Sequence, residues 1–176
     1  MRGWMVLALG LVAASPAMAE VMDSAAAGFT VRHEAVIAAS PDKVYEALIA
    51  PAKWWNKEHS FSGEAANFSI YARPGGCFCE KLPDGGGVRH MIVIFAAPGK
   101  MLRMAGGLGP LQAFAVTGTQ SWEMKAEGGG TKLTLTYAAS GYIKDGMDSW
   151  AAPVDRVLGG QFARLKRYIE TGSPAE

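Results

Sequence analysis

The stretch ASPDKVYEALIAPAKWW, residues 39–55, contains a short helix together with its start and stop signals. Ser40 is a preferred N-cap residue, and Pro41 suits the first helical position because no N–H is needed there. Apolar side chains recur at helical spacing on one face, at Val44, Tyr45, Leu48 and Ile49. Pro51 ends the helix. The tryptophan pair and the polar run to His59 predict a second small helix or a turn.

A strand precedes this helix. Residues 29–37 alternate between apolar and polar side chains, which is the period-two pattern of a half-buried strand. His33 falls on the apolar face of this strand. A lone histidine in such a position is more often a hydrogen-bonded part of the core than a ligand contact, so we expect His33 to be buried.

After the helix, the chain contains strands separated by glycine-rich turns. Tight turns such as Pro83-Asp84-Gly85-Gly86-Gly87 connect neighbouring strands, so the pattern predicts an antiparallel meander. The predicted strands span residues 67–71, 77–82, 88–95, 101–105, 117–127 and 131–142. The loop Gly106-Gly107-Leu108-Gly109-Pro110 lacks the Lys-Ser/Thr pair of a phosphate-binding loop. We interpret it as a flexible lip or a turn in an extended hairpin.

The longest predicted element is an amphipathic helix over residues 147–171. Its apolar stripe consists of Trp150, Val154, Val157, Leu158, Phe162, Leu165, Tyr168 and Ile169. Pro153 predicts either the true start of the helix or a kink. At about 1.5 Å per residue, the helix is long enough to cross most of a small sheet.

This order of elements resembles the START-like or SRPBCC superfamily, whose fold is called the helix-grip. The local cues are residues 39–48, residues 51–55 and Gly75-Gly76 before the third strand. They fit the branch that contains polyketide cyclases and homologues of a heat-shock-chaperone ATPase activator. The resemblance implies an α+β fold in which a curved antiparallel sheet of about seven strands wraps around the C-terminal helix, with two short helices after strand one.

The resemblance also implies a pocket between sheet and helix for a small hydrophobic or amphipathic molecule. A fully packed interior without a ligand is the alternative. Candidate ligand-binding residues come from the dry faces of strands and helix, the tryptophan pair and two polar positions. They are Trp54, Trp55, His59, Glu80, Trp122, Met124, Leu135, Tyr137, Trp150, Val154 and Leu158. For the apolar members, core packing is the competing interpretation.

Two polar residues are candidates for catalysis as well as for binding. His59 follows the tryptophan pair, near the expected mouth of the pocket. Glu80 shares its parity with Phe78 and Leu82, which favours an inward orientation and a role as acid or hydrogen-bond partner. Arg89 and His90 begin a strand and are interpreted as solvated.

Cys77 and Cys79 lie two residues apart on a predicted strand, and three interpretations stay open. Their Cα atoms would be about 6.5 Å apart in an extended strand, near the upper limit for a disulfide. They are therefore either free buried thiols, a disulfide, or two ligands of a zinc site with His90 as the third. The zinc interpretation needs a hairpin register in which Lys81 lies opposite His90.

Residues 1–19 have the pattern of a secretory signal peptide. Arg2 gives a short positive region, residues 4–14 form an apolar core, and Ala17-Met18-Ala19 is a small-x-small cleavage pattern. We expect cleavage between Ala19 and Glu20 and a periplasmic or secreted protein. A spanning helix needs about 20 apolar residues, so we expect no stable membrane insertion afterwards. We expect residues 20–28 to form a flexible lead-in and residues 29–172 to form one domain.

Charge narrows the class of partner. Loss of Arg2 from the 17 basic residues leaves 16, equal to the number of acidic residues. Because no basic block remains, nucleic acid and electrostatic docking to a membrane are not expected partners. No cofactor is expected, and the sequence leaves the oligomeric state open.

Three functions are consistent with the predicted fold, pocket and export signal. The first is periplasmic binding or transport of a small hydrophobic molecule. The second is a cyclase-like or hydrolase-like enzyme acting in the same pocket. The third is a protein-partner module, suggested by the resemblance to the chaperone activator; export weakens it because the periplasm lacks ATP and the chaperone. Fold analogy alone does not choose between the first two.

Overall fold

The computed structural model describes residues 18–175, in which one antiparallel sheet faces one long helix. The eight strands are β1 (Met18–Ala25), β2 (Gly28–Ile37), β3 (Phe68–Ile70), β4 (Cys77–Lys81), β5 (Gly87–Ala97), β6 (Met101–Ala105), β7 (Ala115–Glu127) and β8 (Gly130–Tyr142). They are arranged in the order β1-β2-β8-β7-β6-β5-β4-β3. The helices are α1 (Pro41–Leu48) and α2 (Asp148–Thr171), and short 3-10 turns include Pro51–Lys53, Lys57–His59 and Gly109–Ala113. The predicted helix-grip architecture is confirmed.

The N-terminal part of the chain differs from its prediction in one respect. Residues 20–28 were expected to form a flexible lead-in, but Met18–Ala25 forms an edge strand paired with β2. The alanine-rich composition hides this strand, because the side chains of residues 20–25 lie at the surface and show no apolar alternation. The predicted signal peptide falls mainly on residues 1–17, which lie outside the described residues.

The strand before α1, β2, pairs with the last strand of the meander, β8. Ten successive residue pairs join these strands, from Gly28 opposite Ser140 to Ile37 opposite Thr131. The buried residues of β2 alternate as predicted, and His33 is among them. The strand therefore contributes one dry face to the core beneath α2.

The C-terminal half of α2 is fixed to the sheet and to the loop after α1. Phe162 stacks on Trp122 of β7, with ring centroids 6.1 Å apart. Arg164 Nε donates to the Trp54 carbonyl oxygen at 2.9 Å, and the Gln161 side-chain oxygen accepts from the Asn56 N–H at 2.9 Å. These polar contacts join α2 to the segment that carries the tryptophan pair. Pro153 lies within the first turns of the continuous helix.

A bulge interrupts the pairing of β4 with β5. Phe78 lies opposite Met91 and Cys79 lies opposite Arg89, so His90 is an extra residue on β5. An extra residue breaks the alternation of faces, and His90 and Met91 are consecutive yet both buried. The expected register with Lys81 opposite His90 is wrong, because Lys81 lies opposite Gly87. The interpretation of His90 as a solvated residue is wrong for the same reason.

Within residues 18–175, neither helix has the length and hydropathy needed to cross a bilayer.

Candidate functional site

A cavity of ≈ 320 Å³ lies beside the N-terminal half of α2. Three segments enclose it: this half of the helix, the loop around Leu108–Leu111, and the turn from Trp55 to Phe61. Its lining residues are Trp55, Glu58, His59, Ser60, Phe61, His90, Leu108, Gly109, Pro110, Leu111, Trp150, Pro153, Val154, Val157 and Leu158. Most of this wall is apolar.

The loop around Leu108–Leu111 forms one wall of the cavity, the loop wall, and Tyr137 of β8 holds it in place. Its hydroxyl oxygen accepts from the Leu108 N–H at 3.1 Å, and its hydroxyl donates to the Gly106 carbonyl oxygen at 3.3 Å. Burial raises the pKa of Tyr137 above its usual value, so the hydroxyl keeps the proton that it donates. Gly118 makes room for the ring, because a Cβ at that position would lie 2.6 Å from the ring carbon Cε2. The loop is therefore a positioned wall.

The turn from Trp55 to Phe61 forms a second wall, the turn wall, and it packs on the core through Trp55, the second tryptophan of the pair. Trp55 packs against Phe68 and Phe78, with ring centroids 5.2 and 5.3 Å away, and its indole N–H donates to the His59 carbonyl oxygen at 2.9 Å. The Asn56 side chain caps the short turn that follows by accepting from the Glu58 N–H. These contacts fix residues 56–61 around the opening of the cavity.

His90 is the buried polar side chain in this wall, and Glu80 lies behind it. The ring is 4% exposed and Glu80 is 1% exposed. His90 Nε2 lies 3.0 Å from Glu80 Oε2. The same carboxylate accepts from the backbone N–H groups of Phe61 and Ser62. Glu80 itself does not line the cavity, so it acts on the site through His90 and through the Phe61–Ser62 backbone.

Burial and hydrogen bonding together determine the charge and tautomer of this pair. Burial raises the pKa of Glu80, but hydrogen bonds from Ser62, Phe61 and His90 outweigh it and leave the pKa below its usual value. Burial lowers the pKa of His90 more than the neighbouring carboxylate raises it. At neutral pH, Glu80 is therefore ionised and His90 is neutral. An ionised carboxylate only accepts, so the imidazole proton is on Nε2 and the lone pair is on Nδ1.

His90 Nδ1 has no hydrogen-bond partner among the described residues, although it is buried. The ring is also held in place by aromatic neighbours. Its centroid lies 5.2 Å from that of Phe68, 5.1 Å from that of Phe78 and 5.9 Å from that of Phe61. A buried acceptor without a partner is uncommon in folded proteins, which singles out this nitrogen within the cavity wall.

The structure divides the candidate ligand-binding residues into two groups. Those that line the cavity are Trp55, His59, Trp150, Val154 and Leu158. Those that do not are Trp54, Glu80, Trp122, Met124, Leu135 and Tyr137, all of them buried. The tryptophan pair shows the division, because the Trp54 indole N–H donates to the Ala47 carbonyl oxygen and its ring packs against Trp122 in the core. Of the two catalytic candidates, His59 lies exposed at the cavity, while Glu80 lies behind His90.

The zinc interpretation is wrong, and the cysteines form a disulfide. Their Cα atoms are 5.4 Å apart, closer than in a regular extended strand. Both are half-buried on one face of β4, whereas Phe78 and Glu80 are buried on the other. His90 belongs to the Glu80 side, so the three proposed ligands do not converge. Among residues 18–175, no three His, Cys, Asp or Glu side chains are grouped as a metal site would require.

Several lining residues were not among the ligand-binding candidates, although His90 was a candidate zinc ligand. His90 enters the wall through the bulge, for which the sequence has no local signal. Phe61, Leu108 and Leu111 belong to irregular segments, where side-chain direction has no period to read. The glycine-rich composition of residues 106–110 was the available signal for the loop wall, and it pointed to a lip without saying which side chains face inward.

Comparisons with known proteins agree with this architecture. A family model described as polyketide cyclase / dehydrase and lipid transport matches residues 28–170. No curated protein matches the chain at a significant level.

Solved structures show the same fold. A protein from Rhizobium leguminosarum is 21% identical with a TM-score of 0.60, and the match covers 89% of this chain and 99% of that one. CalU16 from Micromonospora echinospora is 15% identical with a TM-score of 0.58, covering 92% and 88%. The Aha1 dimer from Colwellia psychrerythraea is 20% identical with a TM-score of 0.54, covering 81% and 97%. At these identities the likeness establishes the fold alone.

Proposed function

Because the chain belongs to the polyketide cyclase / dehydrase and lipid transport family, we propose that it binds a small hydrophobic molecule in the cavity beside α2. The family has a hydrophobic-ligand-binding fold, and its description joins polyketide chemistry with lipid transport. This role corresponds to the first of the three functions that the sequence suggests.

The observation that carries the proposal is the composition of the cavity wall. Eleven of its fifteen residues have apolar side chains or none, and the exceptions are Glu58, His59, Ser60 and His90. A volume of ≈ 320 Å³ lies at the lower end of the range of small-molecule sites. An apolar space of this size favours an apolar ligand, because binding removes apolar surface from water on both sides.

The apolar character continues beyond the cavity. Phe61 and Phe114 are 54% and 42% exposed. A shallow groove adjoins the cavity through shared residues, and its lining consists of these two residues with Val88, Pro110, Gln112, Ala113 and Trp150. An apolar rim supports the proposal because it offers a hydrophobic ligand a continuous path from the surface to the interior.

Dye binding tests this function. The neutral dye N-phenyl-1-naphthylamine should gain fluorescence with the wild-type protein. Val154→Trp should abolish most of this gain because the larger ring fills the cavity. Arg156→Trp is the matched control, since Arg156 is exposed on the same helix and does not line the cavity. If Val154→Trp binds the dye as well as Arg156→Trp does, the cavity is not the binding site. Native mass spectrometry of protein purified from its own host should show a co-purifying hydrophobic molecule.

We further propose that this binding takes place after export, in the periplasm or outside the cell. The support is the signal pattern of residues 1–19. Cleavage before Glu20 would leave the pairs of β1 with β2 from Glu20 opposite Arg32 to Ala25 opposite Gly28. Intact-mass analysis of protein from the periplasmic fraction should give a chain that begins at Glu20. A chain that retains residues 1–19 there would contradict the proposed cleavage.

A second candidate function, proton-transfer catalysis, is favoured by one observation, the His90–Glu80 pair. A neutral imidazole with a free lone pair, backed by a carboxylate, has the arrangement of a general base. The probe 5-nitrobenzisoxazole tests it: its C3 proton passes to the base while the N–O bond breaks, giving a coloured cyanophenolate. Wild type and His59→Phe should turn over this probe, and His90→Phe should not. Equal rates in wild type and His90→Phe would exclude His90 as the base.

A further inference from the structure

We infer that His90 Nδ1 is the hydrogen-bond acceptor for a hydroxyl group of the ligand, which makes the ligand a neutral hydrophobic phenol, enol or alcohol. The inference rests on the proposed binding function and adds the chemical class of the molecule. The cavity offers many apolar ligands a place to bind. A buried acceptor without a partner selects among them, because a ligand that cannot donate leaves it unpaired.

The direction of the hydrogen bond follows from Glu80. Its carboxylate accepts a hydrogen bond from the Nε2–H group, with Nε2 and Oε2 3.0 Å apart, so Nδ1 can only accept. Ketones, ethers and esters have acceptors alone and cannot satisfy it. A hydroxyl can, since it carries a donor proton.

The charges around the cavity favour a neutral hydroxyl over an anionic group. Glu80 is ionised behind the ring, and Glu58 lines the cavity. The cavity lining contains neither lysine nor arginine. An anionic ligand would therefore meet two carboxylates without an opposite charge, and burying an unpaired charge is costly.

The ring cannot easily satisfy Nδ1 in another way. Phe68 stacks on it at an interplanar angle of 19°, and Phe78 packs beside it. Turning the ring over would break the hydrogen bond to Glu80. Phe61 also stacks on the ring, at an interplanar angle of 29°, and it is the exposed member of this group. Phe61 and His90 line the same cavity, so a ligand bound there lies next to the imidazole on the side of this exposed ring.

A matched pair of probes tests the inference. 2-Naphthol and 2-methoxynaphthalene share the same ring system, but only the first can donate a hydrogen bond. At neutral pH, competition with N-phenyl-1-naphthylamine should show that 2-naphthol binds the wild-type protein about three to ten times more tightly. His90→Phe should lose this preference while retaining affinity for 2-methoxynaphthalene. Tyr71→Phe, an exposed position outside the cavity, is the control and should retain the preference.

A second variant keeps the test informative if His90→Phe does not fold. Glu80→Gln can donate its amide hydrogen to Nε2, which moves the imidazole proton to Nδ1. The preference for 2-naphthol should then disappear or reverse in favour of 2-methoxynaphthalene. Circular dichroism of each variant establishes that it is folded before its binding is compared.

The outcomes separate this inference from the proposed function. If both probes displace the dye equally from the wild-type protein, the hydroxyl inference is wrong and the binding function stands. If a preference for 2-naphthol persists in both His90→Phe and Glu80→Gln, His90 is not the acceptor. If neither probe nor the dye binds, the proposed function and the inference fail together.

Discussion

Two adjacent glycines in the middle of α2 have opposite surroundings, and their replacement by alanine should have opposite effects. A Cβ at Gly159 would lie 2.9 Å from Cε1 and 3.3 Å from Nδ1 of His33. A Cβ at Gly160 would meet nothing within 4 Å. Because glycine in a helix interior costs about 0.8–1 kcal/mol relative to alanine, Gly160→Ala should stabilise the protein by about that amount.

Gly159→Ala gains the same helix propensity but also compresses His33. The imidazole cannot move aside cheaply, since it is 3% exposed, its Nε2 lies 3.0 Å from Asp155 Oδ1 and its ring packs on Phe162. Overpacking a well-filled core costs about 1–3 kcal/mol. The net effect of Gly159→Ala is therefore a destabilisation of about 1 kcal/mol. The two variants should differ in the free energy of unfolding by about 2 kcal/mol.

Equilibrium unfolding in urea measures this difference directly. In thermal unfolding, a change of 1 kcal/mol in the free energy of unfolding corresponds to a shift in Tm of about 2–4 °C for a domain of this size. Gly160→Ala should therefore melt about 4–8 °C above Gly159→Ala. A double-mutant cycle with His33→Ala should show that Gly159→Ala becomes stabilising once the ring is gone. If Gly159→Ala stabilises the wild-type background as much as Gly160→Ala does, α2 is not pressed against His33 at this point.

Three further predictions concern pH, the loop wall and the disulfide. Burial lowers the pKa of both His33 (partner Asp155) and His90 (partner Glu80) below 6.5. As the pH falls below 6.5, the unfolded chain therefore binds more protons than the folded protein does. The free energy of unfolding measured in urea should therefore decrease from pH 7.5 to pH 5.5, by up to about 1.4 kcal/mol per pH unit for each histidine, and an unchanged value would show that neither is held neutral. Tyr137→Phe should lower stability by about 1 kcal/mol and weaken dye binding, because the Leu108 N–H loses its acceptor; unfolding and dye titration check both. Thiol labelling under denaturing conditions should detect Cys77 and Cys79 only after reduction, and labelling without reduction would contradict the disulfide. The double variant Cys77→Ser/Cys79→Ser should lower the free energy of unfolding by about 1.6 kcal/mol by the loop-entropy relation.

Strong periodic patterns account for most of the fold that the sequence predicted. The helix expected over residues 147–171 is observed as Asp148–Thr171, and the strand expected at residues 29–37 is observed as Gly28–Ile37. Both elements bury one face against the core, so burial itself imposes the period on the sequence. Met18–Ala25 was missed because it is an edge strand whose residues 20–25 are all exposed, so burial imposes no period on them.

The candidate site was less predictable because its decisive feature is an exception to periodicity. The bulge at His90 moves one side chain from the expected outer face to the inner one. The same segment carries the disulfide on its outer face and Glu80 on its inner face. Parity correctly assigned Glu80 inward within β4, yet parity across the turn could not follow the extra residue on β5.

The apolar stripe of α2 shows why a cavity leaves so little trace in a sequence. Phe162 and Leu165, in its C-terminal half, are buried, with Phe162 packed against Trp122, while Val154 and Val157 in the N-terminal half border the cavity. The stripe itself is uninterrupted, since both halves must exclude water. The difference lies in the opposite wall. Beneath the C-terminal half, large side chains fill the space. Beneath the N-terminal half, the loop held by Tyr137 and the turn held by Glu80 leave a cavity next to the helix. A cavity is thus specified by the hydrogen bonds that hold its walls apart, and these come from residues distant in sequence that have no period of their own.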